Sequence, residues 1–177
     1  KGEYGMGLEE SRTMEERFPA GLEQPAGSFR FSSDALLLAD FALECALPEK
    51  ALFADLGTGC GVVALAALRR RLQWKGAGLE IQPELAAAAE RNAAGLGLER
   101  RFRVVSGDVT DPSALRRLRT AFEDGPSPEG GESAVPLFDA VFCNPPWRRE
   151  GAGRLPPSDM RRTALFGTEG TFPAFFS

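Results

Sequence analysis

Asp55, Glu80, Asp108 and Asn144 each stand at or near the C-terminal end of a short apolar run, and Gly57, Gly59 and Gly61 follow the first of them. Glycines in that position let the backbone pass close to a ligand and aim the start of the next helix at it. The spacing is GxGxG, whereas the dinucleotide fingerprint is GxGxxG. Asp55, just before the loop, would repel a pyrophosphate and suits a cationic or hydroxyl-bearing ligand without phosphates. Glu80 lies about twenty residues beyond the glycines, where an acid commonly accepts hydrogen bonds from both ribose hydroxyls. Asp108, in SGDVTD, suits either the exocyclic amine of an adenine or a turn.

The fourth run ends in FCNPPW, residues 142–147. Neither Pro145 nor Pro146 has a backbone N–H to donate, and each fixes its φ, so the strand must stop in a stiff loop. A residue before a proline is held extended, which orients Asn144 in advance. Trp147 offers a flat face on which a planar base can stack. Read alone, the tetrapeptide also reads as an ordinary strand stop, the lesser of its two readings.

The elements that must position these residues alternate. After a Gly- and Glu-rich stretch at 1–28, expected as a flexible arm, Ser32, Ser33 and Asp34 supply good caps for a helix. Its expected buried stripe is Leu36, Leu37, Phe41 and Leu47. Strands are predicted at 51–55, 77–80, 102–106 and 137–143, and helices at about 61–71, 83–95 and 112–122. Such βα alternation implies a mostly parallel sheet with right-handed crossovers. The segment EDGPSPEGGESAVP, at 123–136, reads as a mobile surface loop. Four strands make a thin sheet, the chain begins at Lys1, and it stops at TFPAFFS, so the expectation is a fragment whose sheet is incomplete at the C-terminus.

Composition narrows the chemistry. The 177 residues include 43% apolar residues, enough for one core. No histidine is present, which excludes Ser/His and Cys/His mechanisms. Cys45, Cys60 and Cys143 form no CxxC pair, so no disulfide framework and no metal are indicated, and a reducing cytoplasm fits best. No apolar run approaches the roughly 18–20 residues a membrane span needs, and the N-terminus does not resemble a signal peptide. The net charge of −4 argues against a protein that coats nucleic acid. Yet Arg148, Arg149, Arg154, Arg161 and Arg162 face only Glu150 and Asp159 in the segment after FCNPPW. This local positive charge suits a polyanionic substrate or, equally, a solvated loop.

DLGTGCG, Glu80, Asp108 and NPPW, in this order, resemble the class I S-adenosylmethionine-dependent methyltransferases that modify exocyclic or amide nitrogens. The resemblance spans about residues 29–147 and implies a Rossmann-like class I methyltransferase domain over 29–177. It also implies S-adenosyl-L-methionine as cofactor. Asp55, Gly57, Thr58, Gly59 and Gly61 would hold the methionine end, Glu80 with Ile81 the ribose, and Asp108 with Val109 the adenine. Asn144 would touch both cofactor and substrate. With Pro145, Pro146 and Trp147 it forms the catalytic motif, in which the Asn144 side-chain oxygen and the Pro145 carbonyl accept from the two N–H groups of the target nitrogen. That family more often has Tyr or Phe where this chain has Trp147.

The segment FRFSSDALLLADF resembles the bacterial tRNA adenine-N6 methyltransferases that act beside the anticodon of a valine tRNA, which places Phe31, Ser32, Ser33 and Asp34 at the methionine end. An RNA substrate, no metal and no membrane follow as expectations. The alternatives are a release-factor-type protein glutamine methyltransferase, which usually carries a separate helical N-terminal domain, and a catalytically silent S-adenosylmethionine-binding module. A DNA adenine methyltransferase fits the motif but would demand more basic surface.

Overall fold

The computed structural model describes residues 13, 14, 16–123, 138–145, 148, 149 and 158–167. In chain order these form α1 (Ser33–Glu44), β1 (Leu52–Leu56), α2 (Val62–Arg70), β2 (Lys75–Glu80), α3 (Pro83–Gly95), β3 (Phe102–Ser106) and α4 (Pro112–Arg119). Next come β4 (Ala140–Cys143), β5 (Arg148–Arg149), α5 (Asp159–Leu165) and β6 (Phe166–Gly167). The first four strands build one parallel sheet in the order β3-β2-β1-β4. The α/β fold with a parallel sheet is therefore as the sequence implied. β5 and β6 pair separately, and neither was expected.

Strands covered on both faces must be apolar almost throughout, not alternating. β1 meets this with Phe53 and Ala54 buried on opposite faces. Phe53 joins Leu65, Leu68, Phe102 and Phe142 in the larger core, against α2 and α3. Ala54, Leu56, Leu79, Ala114 and Leu118 form the smaller core under α4. β2 starts two residues earlier than expected, since a strand interior with glycine reads as weak. Here Gly76 leaves room for the Phe53 ring, whose Cζ would stand 2.5 Å from a Cβ at that position.

Two expectations need correction. The buried face of α1 is not Leu37 and Phe41, which are 64% and 65% exposed, but Ala35, Ala39 and Ala42. Leu36 and Leu47 are only partly buried. α1 packs on α2, which contributes Ala64 and Ala67 to the same core, and small side chains on both helices allow that packing, while Leu36, Leu38 and Leu43 of α1 pack only partly buried against it and Leu37 and Phe41 are turned outward. The second correction concerns the described part of the N-terminal arm, which is not loose. Leu22 is 5% exposed, the Arg91 guanidinium grips the Glu23 carboxylate in a two-bond fork, and the Arg69 guanidinium lies 4.4 Å from the Phe18 ring centroid. A few well-placed apolar and charged side chains anchor this stretch despite its polar composition.

β4 begins at Ala140, not 137, because Asp139 is occupied at its entrance. Its N–H donates to the Leu52 carbonyl at 2.7 Å, and its carboxylate accepts from the Leu52 N–H at 2.7 Å. α4 ends at Arg119, where Thr120 turns its hydroxyl back onto the Arg116 carbonyl. The loop expected at 123–136 lies, Glu123 apart, outside the described residues. Among the described residues no helix is long and apolar enough to cross a membrane.

Candidate active site

Strand register alone gathers the predicted residues. Leu56 lies opposite Leu79 on one side and Cys143 on the other, and Glu80 lies opposite Ser106. The residues at or just after these strand ends, Gly57, Glu80, Gly107 and Asn144, therefore share the carboxyl edge of the sheet. β1 is the point at which the strand order reverses, the place where open α/β sheets bind ligands. A cavity of about 500 Å³ opens there.

The floor of the cavity is the glycine loop. The N–H groups of Gly57 and Thr58 both donate to the Leu79 carbonyl, at 2.8 and 3.0 Å, bending the loop toward β2. The glycines divide the work. Gly59, at φ +59°, would point a Cβ into open space, and its N–H donates to Glu80 Oε2 at 2.9 Å. Gly61, at φ +86°, has no opening: a Cβ there would stand 3.2 Å from Leu65 Cδ1 and 3.2 Å from Phe102 Cε1. Gly61 therefore does not line the cavity as expected but lets α2 close onto the sheet.

Glu80 is 4% exposed. Its Oε1 accepts from the Gln82 N–H at 2.9 Å, so each carboxylate oxygen takes one backbone donor and keeps a lone pair for another. Burial raises its pKa, and the N–H groups of Gln82, Gly59 and Ile81 oppose that rise. Asp55, 1% exposed, accepts from the Thr58 hydroxyl at 2.7 Å. Burial lifts its pKa from 3.8 to about 6, and the nearby Glu80 charge adds to the effect. Burial makes both acids costly to ionise, and both gain from a cation or hydroxyl donor. The thiol of Cys60 is pushed up to about 11 by burial, which leaves it unreactive.

Of the other candidate residues, Phe31, Ser32, Asp34, Thr58, Ile81, Asp108, Val109, Asn144 and Pro145 also line the cavity, whereas Ser33 does not. Ser33 begins α1 and is exposed. Asp108 spends one oxygen on the Thr110 N–H and hydroxyl, both at 2.8 Å, so its turn role is realised and its second oxygen makes no hydrogen bond among the described residues. Pro146, Trp147 and Arg154 lie outside the described residues. Arg148 and Arg149 form β5. Arg161 is turned to the Ser28 carbonyl at 3.2 Å, and Arg162 lines the cavity.

Sequence reasoning missed α5, although Ser158 ahead of Asp159 is a cap signal. It also missed Phe29 and Gln82 in the wall, and Asn92 behind the loop. Asn92 is fully buried on α3. Its Nδ2 donates to the Cys60 carbonyl at 2.9 Å and to the Glu23 carbonyl at 3.0 Å, while its Oδ1 accepts from the Glu23 N–H at 2.7 Å. Asn92→Ala strands those groups and is expected to destabilise the protein by roughly 2–4 kcal/mol, read by urea denaturation. A loss under about 0.5 kcal/mol would show that the network carries no stability.

No protein-family model matches the chain. Similar proteins are nevertheless found. The release factor glutamine methyltransferase of Mycolicibacterium smegmatis is 34% identical over 76% of this chain and 41% of its own length. The tRNA1(Val) (adenine(37)-N6)-methyltransferase of Porphyromonas gingivalis is 36% identical over 71% of this chain and 44% of its own length. A solved RNA methyltransferase from Salinibacter ruber, in complex with S-adenosyl-L-homocysteine, is 26% identical over 45% of this chain and 50% of its own, at a TM-score of 0.39. The chain spans less than half the length of the curated relatives it matches. With a carboxyl-edge cavity floored by a glycine loop and Asn144 in its wall, this chain is, by these identities, a homologue of the tRNA1(Val) adenine-N6 and release factor glutamine methyltransferases.

Proposed function

We propose that this chain is the catalytic unit, over residues 29–177, of an enzyme that transfers a methyl group from S-adenosyl-L-methionine to the N6 amine of adenine in RNA, with transfer RNA as the substrate class. The observation that carries this reading is the meeting of Asn144 and Pro145 with Glu80 and Gly59 in one cavity. The cavity residues fit the cofactor. Glu80 keeps acceptor capacity for two ribose hydroxyls, Gly59 leaves open space beside the loop, and Gln82 Oε1 is buried in the wall without a hydrogen-bond partner among the described residues. When bound, the cofactor supplies an electrophilic methyl group on a sulfonium.

The protein's own task is then positioning. An aromatic amine is a poor nucleophile because its lone pair is delocalised into the ring. Acceptors on its two N–H groups, the Asn144 side-chain oxygen and the Pro145 carbonyl, favour a pyramidal nitrogen with its lone pair aimed at the methyl group. No strong base is needed, in keeping with a chain that has no histidine. In this reading Trp147 stacks the target base and Arg148, Arg149 and Arg154 take RNA phosphates. A looped single-stranded RNA can present an unstacked base without the duplex opening that DNA would require. Three free cysteines support a reducing compartment, and the cytoplasm is part of the proposal.

Glutamine methylation remains the second reading, because the release-factor relatives are as similar as the tRNA relatives. The resemblance of FRFSSDALLLADF favours tRNA. The test is incubation of the protein with labelled S-adenosylmethionine and hypomethylated total tRNA, with release factor in a parallel tube, followed by digestion and mass spectrometry. Label in N6-methyladenosine is the expected result. Label in release-factor glutamine would favour the second reading, and label in neither would leave a binding module.

A further inference from the structure

The cavity wall is markedly acidic. Asp34, Asp55, Glu80 and Asp108 all line it, and among the described lining residues Arg162 is the one cation. Acids suit the ammonium, the sulfonium and the ribose hydroxyls of the cofactor, but they repel its α-carboxylate. A ligand of mixed charge in such a site needs one positive partner at its amino-acid end.

The position of α5 indicates which end Arg162 serves. The Ser158 hydroxyl donates to the Gly27 carbonyl at 2.5 Å, and Arg161 Nε donates to the Ser28 carbonyl at 3.2 Å. α5 is thus fastened to the stretch that runs directly into Phe29, Phe31 and Asp34 of the cavity wall. The resemblance of FRFSSDALLLADF implies that this stretch borders the methionine end, and the α-carboxylate is the cofactor's one anionic group. One face of α5 therefore anchors the helix, and the next residue along, Arg162, is presented to the cavity.

We propose that Arg162 binds the α-carboxylate of the cofactor, with Ser158 and Arg161 as the positioning residues that hold α5 over the amino-acid end. The proposal rests on the cofactor reading above. Arg162 Nη2 already donates to Asp159 Oδ1 at 2.6 Å, but Asp159 is 90% exposed and belongs to the same helix turn. Exposed pairs of this kind contribute little and exchange readily. A guanidinium carries five donors in a planar fork, so one contact to Asp159 leaves a matching pair for a carboxylate. The assignment moves Arg162 from the RNA-facing arginines to the cofactor.

The test is calorimetric and needs no turnover. S-adenosylhomocysteine, which has the amino-acid end, and 5′-methylthioadenosine, which lacks it, are titrated into the wild-type protein, Arg162→Ala and Arg162→Lys. Arg162→Ala is expected to weaken S-adenosylhomocysteine by roughly 10–100-fold and to leave 5′-methylthioadenosine within about twofold, with Arg162→Lys recovering part of the loss. Retained 5′-methylthioadenosine binding also reports that the variant is folded. Equal weakening of both ligands would make Arg162 structural and overturn the proposal. Unchanged S-adenosylhomocysteine affinity would overturn it too, and weakened tRNA binding in the same variant would then return Arg162 to the RNA surface. Failure of the wild-type protein to bind either nucleoside would instead overturn the cofactor reading itself.

Discussion

Asn144→Ala is expected to lower methyl transfer by roughly 10²–10³-fold while S-adenosylhomocysteine affinity changes by less than about threefold, measured by single-turnover kinetics and calorimetry on the same preparation. The split follows from the placement of Asn144. It leaves β4 directly after Cys143 and meets the cavity beside Pro145, whereas the described acceptors nearest the glycine loop come from Glu80 and Asp55. In the proposed reading its loss removes an acceptor from the reacting amine, and it leaves those acids intact. Asn144→Asp keeps two acceptor oxygens in the same space and should fall between wild type and alanine. A variant that turns over normally but binds cofactor weakly would place Asn144 on the cofactor side and leave the amine without its partner.

The second large effect belongs to Asp55. In the folded protein its carboxyl keeps a proton up to a pH of about 6, while the unfolded chain releases it near 3.8. Between those values unfolding releases a proton, so this group's contribution to stability falls as pH rises from about 4 to about 6 and stays low above that. The penalty at neutral pH is about 3 kcal/mol. Glu80, also raised by burial, acts in the same sense. Asp55→Asn should therefore raise the melting temperature of the ligand-free protein at pH 7.5 and change it little at pH 4. Cofactor affinity should move the opposite way. A cationic ligand favours the ionised carboxylate, so wild-type binding should weaken below pH 6 by up to about tenfold per unit, and Asp55→Asn should bind weakly with a shallower slope. Calorimetry at pH 5.0 and 7.5 decides it: the same slope in both proteins would remove Asp55 from cation recognition.

The edge of the sheet was legible because its signals are local. Apolar runs ending in Asp55, Glu80 and Asn144 give strand ends, and parallel register then brings those ends together whatever the details of the helices. Three features were hidden. The inward face of α1 reads as leucine and phenylalanine by hydrophobicity, yet the neighbouring helix supplies alanines, and fit against a partner is not written in either helix alone. Asn92 looks like any polar residue of a helix, since its value lies in backbone groups 32 and 69 residues away in sequence. α5 sits in an arginine-rich stretch whose charge suggested a solvated loop, and its role depends on the carbonyls of Gly27 and Ser28, 131 and 133 residues distant.

The two hydrogen bonds that Glu80 accepts from Gly59 and Gln82 have a kinetic consequence. The loop proposed to embrace the ligand is already folded around the carboxylate proposed to receive it, so little conformational entropy is left to lose on arrival. Association should then proceed at the pace of encounter, and differences in affinity among related nucleosides should appear in how long each one stays.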